Sequence, residues 1–475
     1  MTKTCTILVK DEVWCSVTGL TSSEHEQLWR DFAPFKDGYF FMPSYKLGRW
    51  DGRIRFYEKT GKTYVRLLDR ILPYIEKWGY HIELVDHRPA LCPPSAQVDE
   101  NLFAHREVGG RAFSMRPYQV ECVREALAAG SGVILAGTGA GKTTITAALS
   151  HVYSTAGYKT ITIVPSSDLV TQTAEWYEQL GMPTGIYSGS EKNIDSPNVV
   201  ATWQSLQYNP SILSEFRALI WDETHGASAA VAKKLLNEDG SHIPFRFGVT
   251  GTFPKPEVDQ MSIFSSIGPI LKEIPARWLI DAGYLSKVEI QPVVINETYI
   301  EESFPDYASE RAFLSKNSHR MEKIADLIIS QCATHGNTLV LVNSIPFGQK
   351  LSSLIKDSIF LYGDSPKDIR KEHYDMFDQK DDIIVIASAG IASTGISIDR
   401  IFCLMLIDPA KSFIKAIQSV GRGLRRGRDK DSIVVFDVHS KLNWAKKHFK
   451  ERNKYYKDAQ YPVLAPRTLR VTREN

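Results

Sequence analysis

Val133-Ile-Leu-Ala136-Gly-Thr-Gly-Ala-Gly-Lys142-Thr143-Thr144 decides how this chain is read. An apolar run leads into a glycine-rich turn that closes on Lys-Thr, and a helical pattern follows over 144–153. Strand, glycine loop and helix in this order are the setting of a P-loop. The glycines let backbone N–H groups converge on phosphate oxygens, and the helix N-terminus adds the positive end of its dipole. Thr138, Gly139, Ala140, Gly141, Lys142, Thr143 and Thr144 are therefore expected to cradle ATP. Lys142 would reach the β and γ phosphates and Thr143 would ligate Mg2+. Ala136 stands where the pattern has its first glycine, a small residue that the turn accepts.

Such a loop needs an acidic partner on a neighbouring strand. Leu219-Ile-Trp-Asp222-Glu223-Thr-His225 supplies one, an apolar strand ending in two carboxylates. Asp222 is expected to hold Mg2+ through water and Glu223 to polarise the attacking water. His225 reads either as part of this site or as an ordinary loop histidine.

Outward from these motifs, short apolar runs alternate with helical segments. Strands are expected over 133–136, 160–164, 199–202, 218–221 and 247–249, then over 338–342, 383–387, 402–407 and 433–436. Continuous apolar strands separated by helices indicate buried parallel sheets, so two α/β domains follow, joined near 283–291. Residues 86–100 carry three prolines and little periodicity and read as a linker. Ahead of it lies a small α+β domain with strands at 6–9, 53–57, 64–67 and 81–85 and helices at 22–32 and 70–78. The expected domains are 1–108, 109–288 and 289–475.

At 475 residues, 43% hydrophobic and 24% charged, the chain has the composition of a globular protein, which excludes disorder, collagen or coiled coil as whole-chain descriptions. No apolar run nears the roughly 18 residues of a membrane span. The N-terminal apolar stretch is too short for a signal peptide, so a cytoplasmic protein that binds no membrane is expected. Cys5, Cys15, Cys92, Cys122, Cys332 and Cys403 are scattered, which suits reduced thiols better than disulfides or zinc. Net charge is +2, yet 46–77 carry +5 and 421–475 carry +9, leaving −12 elsewhere. Two basic zones on an acidic body suit either a polyanion partner or two solvated faces.

Further motifs extend the reading. Arg116-Pro-Tyr-Gln119 precedes the P-loop and looks like an adenine-reading Q motif, assigning Arg116 and Gln119 to the nucleotide. Val164-Pro165-Ser-Ser-Asp-Leu-Val-Thr-Gln172, Ala201-Thr202-Trp-Gln204-Ser205 and Thr250-Gly-Thr252 resemble motifs Ia, Ib and III. Ser393-Thr394-Gly-Ile-Ser397 resembles motif V, and Gln418-Ser-Val-Gly-Arg422-Gly-Leu-Arg425 matches motif VI. The ordered set, over residues 111–440, resembles the superfamily 2 helicases and translocases. That resemblance implies two RecA-like domains and an ATP site completed by Gln418, Arg422 and Arg425. An arginine brought to the γ-phosphoryl group is worth about 10³–10⁵ in rate; the alternative for 421–428 is a basic loop touching nucleic acid only. Pro165, Thr202, Gln204 and Thr394 would meet strand phosphates, with little sequence preference. Asp222-Glu-Thr-His225, the DExH-type motif II, is not DEAD, and motif V lacks an Arg-Gly-x-Asp ending; both lean away from the DEAD-box RNA branch.

Ser44-Tyr-Lys-Leu-Gly-Arg49-Trp50-Asp-Gly-Arg53-Ile-Arg55-Phe-Tyr57 alternates aromatic and basic residues. On a strand Arg53 and Arg55 would share a face. Arg49, Arg53 and Arg55 would then grip phosphate while Trp50 stacks on a base; alternatively Trp50, Phe56 and Tyr57 are core. The segment resembles the N-terminal domain of the UvsW-type phage recombination helicases. This implies ATP-driven remodelling of branched DNA: Holliday-junction branch migration, fork regression, and D-loop and R-loop unwinding. A monomer is expected, in the host cytoplasm if phage-encoded, with recombination or replication proteins as further partners. The rivals are an RNA helicase, the motor subunit of a restriction or repair complex, and a strand-binding module with a dead ATP site. The 441–457 stretch reads as a basic helix, either packed through Trp444, Phe449 and Tyr455 or Tyr456 or plainly solvated.

Overall fold

The computed structural model describes residues 3–90, 94, 97–108, 111–137, 139–224, 229–297, 304–363, 372–373, 376, 379–388, 400–410, 432–458 and 460–471. Thr138, His225, Cys92, the 393–397 motif with Thr394, and the 418–425 motif with Gln418, Arg422 and Arg425 lie outside them. The chain forms two compact units, Met1–Gly137 with Gly141–Ile274, and Thr138–Ala140 with Pro275–Asn475. They divide at Ile274/Pro275, ahead of the junction expected over 283–291, whose end already lies within a strand.

The first unit begins with a four-stranded sheet of β1 (Thr4–Val9), β2 (Trp14–Thr18), β3 (Lys62–Tyr64) and β4 (His81–Asp86), in the order β3-β2-β1-β4. Helix Ser22–Asp31 starts on a capping box, in which the Thr21 hydroxyl accepts from Glu24 N and the Glu24 carboxylate accepts from Thr21 N. With helix Leu68–Lys77 it covers a core that includes Ile7, Val9, Leu28, Tyr57, Ile71 and Ile75. This core is not private to the domain. Val258, Met261 and Phe264 of helix Glu257–Ser266 belong to it, Arg70 lies 3.9 Å over the Phe264 ring, and Arg66 donates to the Pro244 carbonyl.

The strand expected over 53–57 is absent. Only isolated bridges, Phe35 to Arg53 and Tyr57 to Thr63, mark the segment, and the strand predicted at 64–67 is β3 followed by a 3₁₀ turn, Val65–Leu67. The left-handed Gly52 (φ 81°) breaks the extended run, and Phe56 and Tyr57 turn into the core. The second half of the expected linker is fastened down. Arg124 donates to the Val98 carbonyl, and buried Phe103 packs its ring on His151 and Phe113, so this stretch sits with the motor rather than with the N-terminal sheet.

After a small hairpin, β5 (Glu107–Val108) and β6 (Arg111–Ala112), comes an eight-stranded sheet. Its strands are β7 (Ser131–Ala136), β8 (Thr160–Val164), β9 (Thr184–Ser188), β10 (Glu191–Lys192), β11 (Asn198–Thr202), β12 (Ala218–Asp222), β13 (Phe245–Thr250) and β14 (Ile270–Ile274). The order is β10-β9-β11-β8-β12-β13-β7-β14, parallel except at β10. Helices Pro117–Ala129, Lys142–Thr155 and Ser167–Gln179 cross over it. Strands such as β8, β11, β12 and β13 are buried along their whole length, which is why they read as mainly apolar runs without alternation.

The second unit holds a seven-stranded parallel sheet: β15 (Lys287–Glu297), β16 (Thr338–Val342), β17 (Ile359–Leu361), β18 (Ile384–Ser388), β19 (Cys403–Ile407), β20 (Ser432–Ser440) and β21 (Arg467–Val471). Its order is β17-β18-β16-β19-β20-β15-β21. Two buried ion networks brace it. Arg320 pairs with Glu297 and Asp408, while Arg452 pairs with Asp437 on β20. Arg452 belongs to helix Asn443–Asp458, which settles the choice left open for the basic C-terminal helix. Tyr456 is buried, Phe449 stacks 4.1 Å from the His439 ring, and the Trp444 indole donates to the Phe304 carbonyl. Cys5, Cys15, Cys122, Cys332 and Cys403 are free and buried; burial pushes the Cys15 and Cys122 thiols up to about 12, out of the reactive range. Among the described residues no helix is long and apolar enough to cross a membrane.

Candidate nucleotide and nucleic-acid sites

Strands β7, β13 and β12 are neighbours, and their carboxyl ends carry the glycine loop, Thr250 and Asp222-Glu223 respectively. Ligands of open α/β sheets bind at such strand ends. Gly137 N donates to the Ile274 carbonyl as the chain leaves β7. Gly141 then takes φ 76°, and a Cβ there would lie 2.3 Å from Nε2 of Gln119. Only glycine lets the glutamine of the Arg116-Pro-Tyr-Gln119 motif close against the loop. Gln119, 4% exposed, accepts from Arg116 N through Oε1, while the Arg116 guanidinium donates to the Tyr118 hydroxyl. The fold thus brings Gln119 against Gly141, with Arg116 tied to it through its backbone N–H. Ala140 and Thr144 are buried and Gly139, Lys142 and Thr143 half-buried, Thr143 in the first turn of helix Lys142–Thr155.

Lys142 Nζ lies 3.1 Å from Glu223 Oε1. Thr250 Oγ1 shares its single hydrogen between Glu223 Oε2 at 3.2 Å and the Thr252 carbonyl at 2.9 Å. Glu223 has φ 53°, left-handed for a residue with a side chain, which costs about 1–3 kcal/mol and persists only where its surroundings over-determine it. Here they do, because Glu223 N also donates to the Val249 carbonyl at 2.8 Å. The turn aims one carboxylate at the loop lysine and at a neighbouring hydroxyl together. Asp222, the last residue of β12, is buried beside it. Thr143 and Asp222 offer a hydroxyl and a carboxylate, hard oxygen donors that suit Mg2+ held mainly by phosphate and water.

The expected strand contacts fare unevenly. Thr202 is buried, and its hydroxyl caps helix Trp203–Tyr208, accepting from Ser205 N and donating to Ser205 Oγ, so it is not presented to a phosphate. Gln204 Nε2 donates to the carbonyl of half-buried Pro165, joining motifs Ia and Ib. In the N-terminal domain the Trp50 indole donates to the Arg53 carbonyl instead of standing free. Arg53 lies 3.8 Å over the Phe35 ring and donates to the Ala33 carbonyl. Arg55 pairs with Asp51 and lies 4.2 Å over the Trp29 ring, so Arg53 and Arg55 rest on different rings rather than on one strand face. Arg49 alone of the four is exposed. Sequence reasoning passed over the aromatic run Phe35…Tyr39-Phe40-Phe41…Tyr45; its signal was aromatic density between Gly38 and Pro43, where a turn leaves side chains outside.

Three family models match the chain in order: "DNA helicase UvsW, N-terminal" over 21–86, "Type III restriction enzyme, res subunit" over 112–255 and "Helicase conserved C-terminal domain" over 319–427. With two parallel sheets and a P-loop facing Asp222-Glu223, they make the chain a superfamily 2, ATP-hydrolysing DNA helicase. It is similar to the ATP-dependent DNA helicase UvsW of Enterobacteria phage T4, with 26% identity over 90% of this chain and 89% of that one. The match over 21–86 is to the N-terminal domain of that helicase type. It is also similar to the Rad25 DNA 3'-5' helicase of Halobacterium salinarum, 27% identical over 66% of this chain, and spans about half (53%) of that relative's length. The solved structure of the Type ISP restriction-modification enzyme LlaBIII bound to DNA shares the fold, with a TM-score of 0.57 at 15% identity over 85% of this chain and 34% of that one.

Proposed function

We propose that the chain uses ATP and Mg2+ to remodel branched DNA in recombination, repair and replication, by migrating junctions, regressing forks and unwinding D-loops and R-loops. The observation that carries this is the Lys142–Glu223–Thr250 constellation at adjoining strand ends, in a chain whose N-terminal domain is of the UvsW type. In this reading Thr138, Gly139, Ala140, Gly141, Lys142, Thr143 and Thr144 hold the phosphates, and Arg116 and Gln119 read the adenine. Thr143 and Asp222 hold Mg2+, which neutralises charge on the transferred phosphoryl group when bound. Glu223, kept in place by Thr250, orients the attacking water. Gln418, Arg422 and Arg425 are assigned by motif alone, to the developing charge on the γ-phosphoryl group. Arg49, Pro165, Gln204 and Thr394 face the DNA backbone, while Trp50, Arg53 and Arg55 shape the surface beside it. The chain works as an intracellular monomer with an accessory domain and two motor domains, alongside recombination or replication proteins.

Steady-state ATP hydrolysis tests this, measured without nucleic acid and with single-stranded DNA, duplex, a four-way junction and structured RNA. DNA should stimulate, the junction most, and Lys142→Ala should abolish turnover while leaving DNA binding intact. Strongest stimulation by RNA, or junction migration by the Lys142→Ala variant, would overturn the proposal.

A further inference from the structure

Phe40 and Phe41 are 52% and 71% exposed, more than the neighbouring Phe35 (43%) and Tyr45 (37%). They sit on the 3₁₀ turn Tyr39–Phe41, where successive side chains point about 120° apart, so the turn cannot bury all three. Tyr39 takes the inward direction. Its ring stacks 4.6 Å from Phe35 and meets Tyr45 edge-on at 4.8 Å, and Phe40 and Phe41 lie outside it with centroids 4.2 Å apart. The Arg53 guanidinium closes the column from beyond Phe35. Gly52 makes room for it, since a Cβ there would sit 2.5 Å from Cδ2 of Tyr39. The Trp50-Asp-Gly-Arg53 segment thus forms the back of an aromatic platform whose open face is Phe40 and Phe41.

The surroundings identify the occupant. Residues 34–55 hold five Lys/Arg (Lys36, Lys46, Arg49, Arg53, Arg55) against Asp37 and Asp51, and Lys36, Lys46 and Arg49 are exposed. Backbone bonds from Lys36 N to Gly52 O and from Arg49 N to Ser44 O fold these cations onto the same small lobe. Exposed aromatic rings on a lobe that also presents exposed cations fit a polyanion with flat apolar faces, which is nucleic acid with unpaired bases. We infer that Phe40 and Phe41 form a stacking platform for an unpaired base at a DNA branch point. The inference rests on the DNA-helicase reading and goes beyond it by naming the group that touches the bases. The Trp50 indole N–H is tied to the Arg53 carbonyl and so is not itself the stacking group.

The test uses the full chain, a Phe40→Ala/Phe41→Ala double variant and a Phe41→Trp variant. The probes are a fork with 2-aminopurine as the unpaired base at its branch point and a blunt duplex. Loss of base stacking should weaken fork affinity at least about fivefold and abolish the 2-aminopurine response. Duplex affinity and ATPase rate at saturating DNA should stay within twofold of wild type, and Phe41→Trp should bind the fork as wild type does, with its indole emission quenched by DNA. Unchanged fork affinity in the double variant, equal losses on fork and duplex, or a loss of self-association in place of DNA binding would each overturn the inference. Failure of wild-type protein to respond to any DNA would instead refute the helicase reading, and the platform with it.

Discussion

Replacing Arg452 by methionine should loosen strand β20 while leaving the P-loop untouched. Arg452 and Asp437 are both 0% exposed and meet side-on, Nε to Oδ2 at 2.8 Å and Nη2 to Oδ1 at 2.7 Å. The third guanidinium nitrogen donates to the Pro409 carbonyl, and the Tyr456 hydroxyl donates to Asp437 Oδ2 at 2.7 Å. Burial by itself would raise the Asp437 pKa, but Arg452 overrules it and holds the carboxyl well below the usual range. Methionine keeps much of the volume and strands a buried carboxylate, at a cost of about 3–5 kcal/mol. In hydrogen exchange of β20 amides that is a loss of protection of about 150- to 5,000-fold, at 1.36 kcal/mol per decade. A loss under tenfold would refute the reasoning. Pairing Arg452→Met with Asp437→Leu should restore most of the protection, because two apolar groups replace two satisfied charges. The pH dependence follows from the depressed carboxyl. Its stabilisation is complete above the unfolded value near 3.9 and is lost as pH falls through the folded one. In Arg452→Met the slope should flatten, since burial then opposes a charged carboxyl held only by His439 and the Tyr456 hydroxyl.

Gly141→Ala should raise KM for ATP about 5- to 30-fold, because alanine pays about 1–2 kcal/mol for the left-handed φ and its Cβ displaces the Gln119 amide; an unchanged KM would detach Gln119 from nucleotide binding. Thr250→Val removes the hydroxyl that donates to Glu223 and should lower kcat for DNA-stimulated hydrolysis about 10-fold or more with DNA affinity unchanged, the loss of one hydrogen bond to a charged group. An unaltered kcat would show that Lys142 and the backbone suffice to aim Glu223.

Much of the motor was legible because parallel strands buried on both faces announce themselves as apolar runs, and the P-loop and Asp222-Glu223 lie at their ends. Strand β15 was not, because Lys287, Glu289 and Gln291 break the apolar run and Pro292 argues against a strand interior; the fold gives up one ladder bond there and keeps the register of Pro292 with Asp437. Asp437 and Arg452 were hidden for a different reason. A lone arginine among the lysines of a basic helix looks solvated, and its partner lies on another element, so the pairing exists only in three dimensions. The alternation at 53–57 suggested a strand, yet Arg53 and Arg55 find aromatic rings from distant residues, and stacking overrides period two. Thr202 shows the same limit at atomic scale, a hydroxyl in a recognised motif that its own helix claims first.

The helix that completes the N-terminal core also continues the strand end that touches Glu223. Thr250 holds the carboxylate, Phe253 packs into both the motor core and the N-terminal core, and Val258, Met261 and Phe264 finish the latter. The accessory domain is therefore geared to the nucleotide side of the molecule through a single continuous stretch of chain. Cutting away the first hundred residues would not release a passenger; it would strip the inner face of the segment that carries Thr250 and leave the motor itself altered.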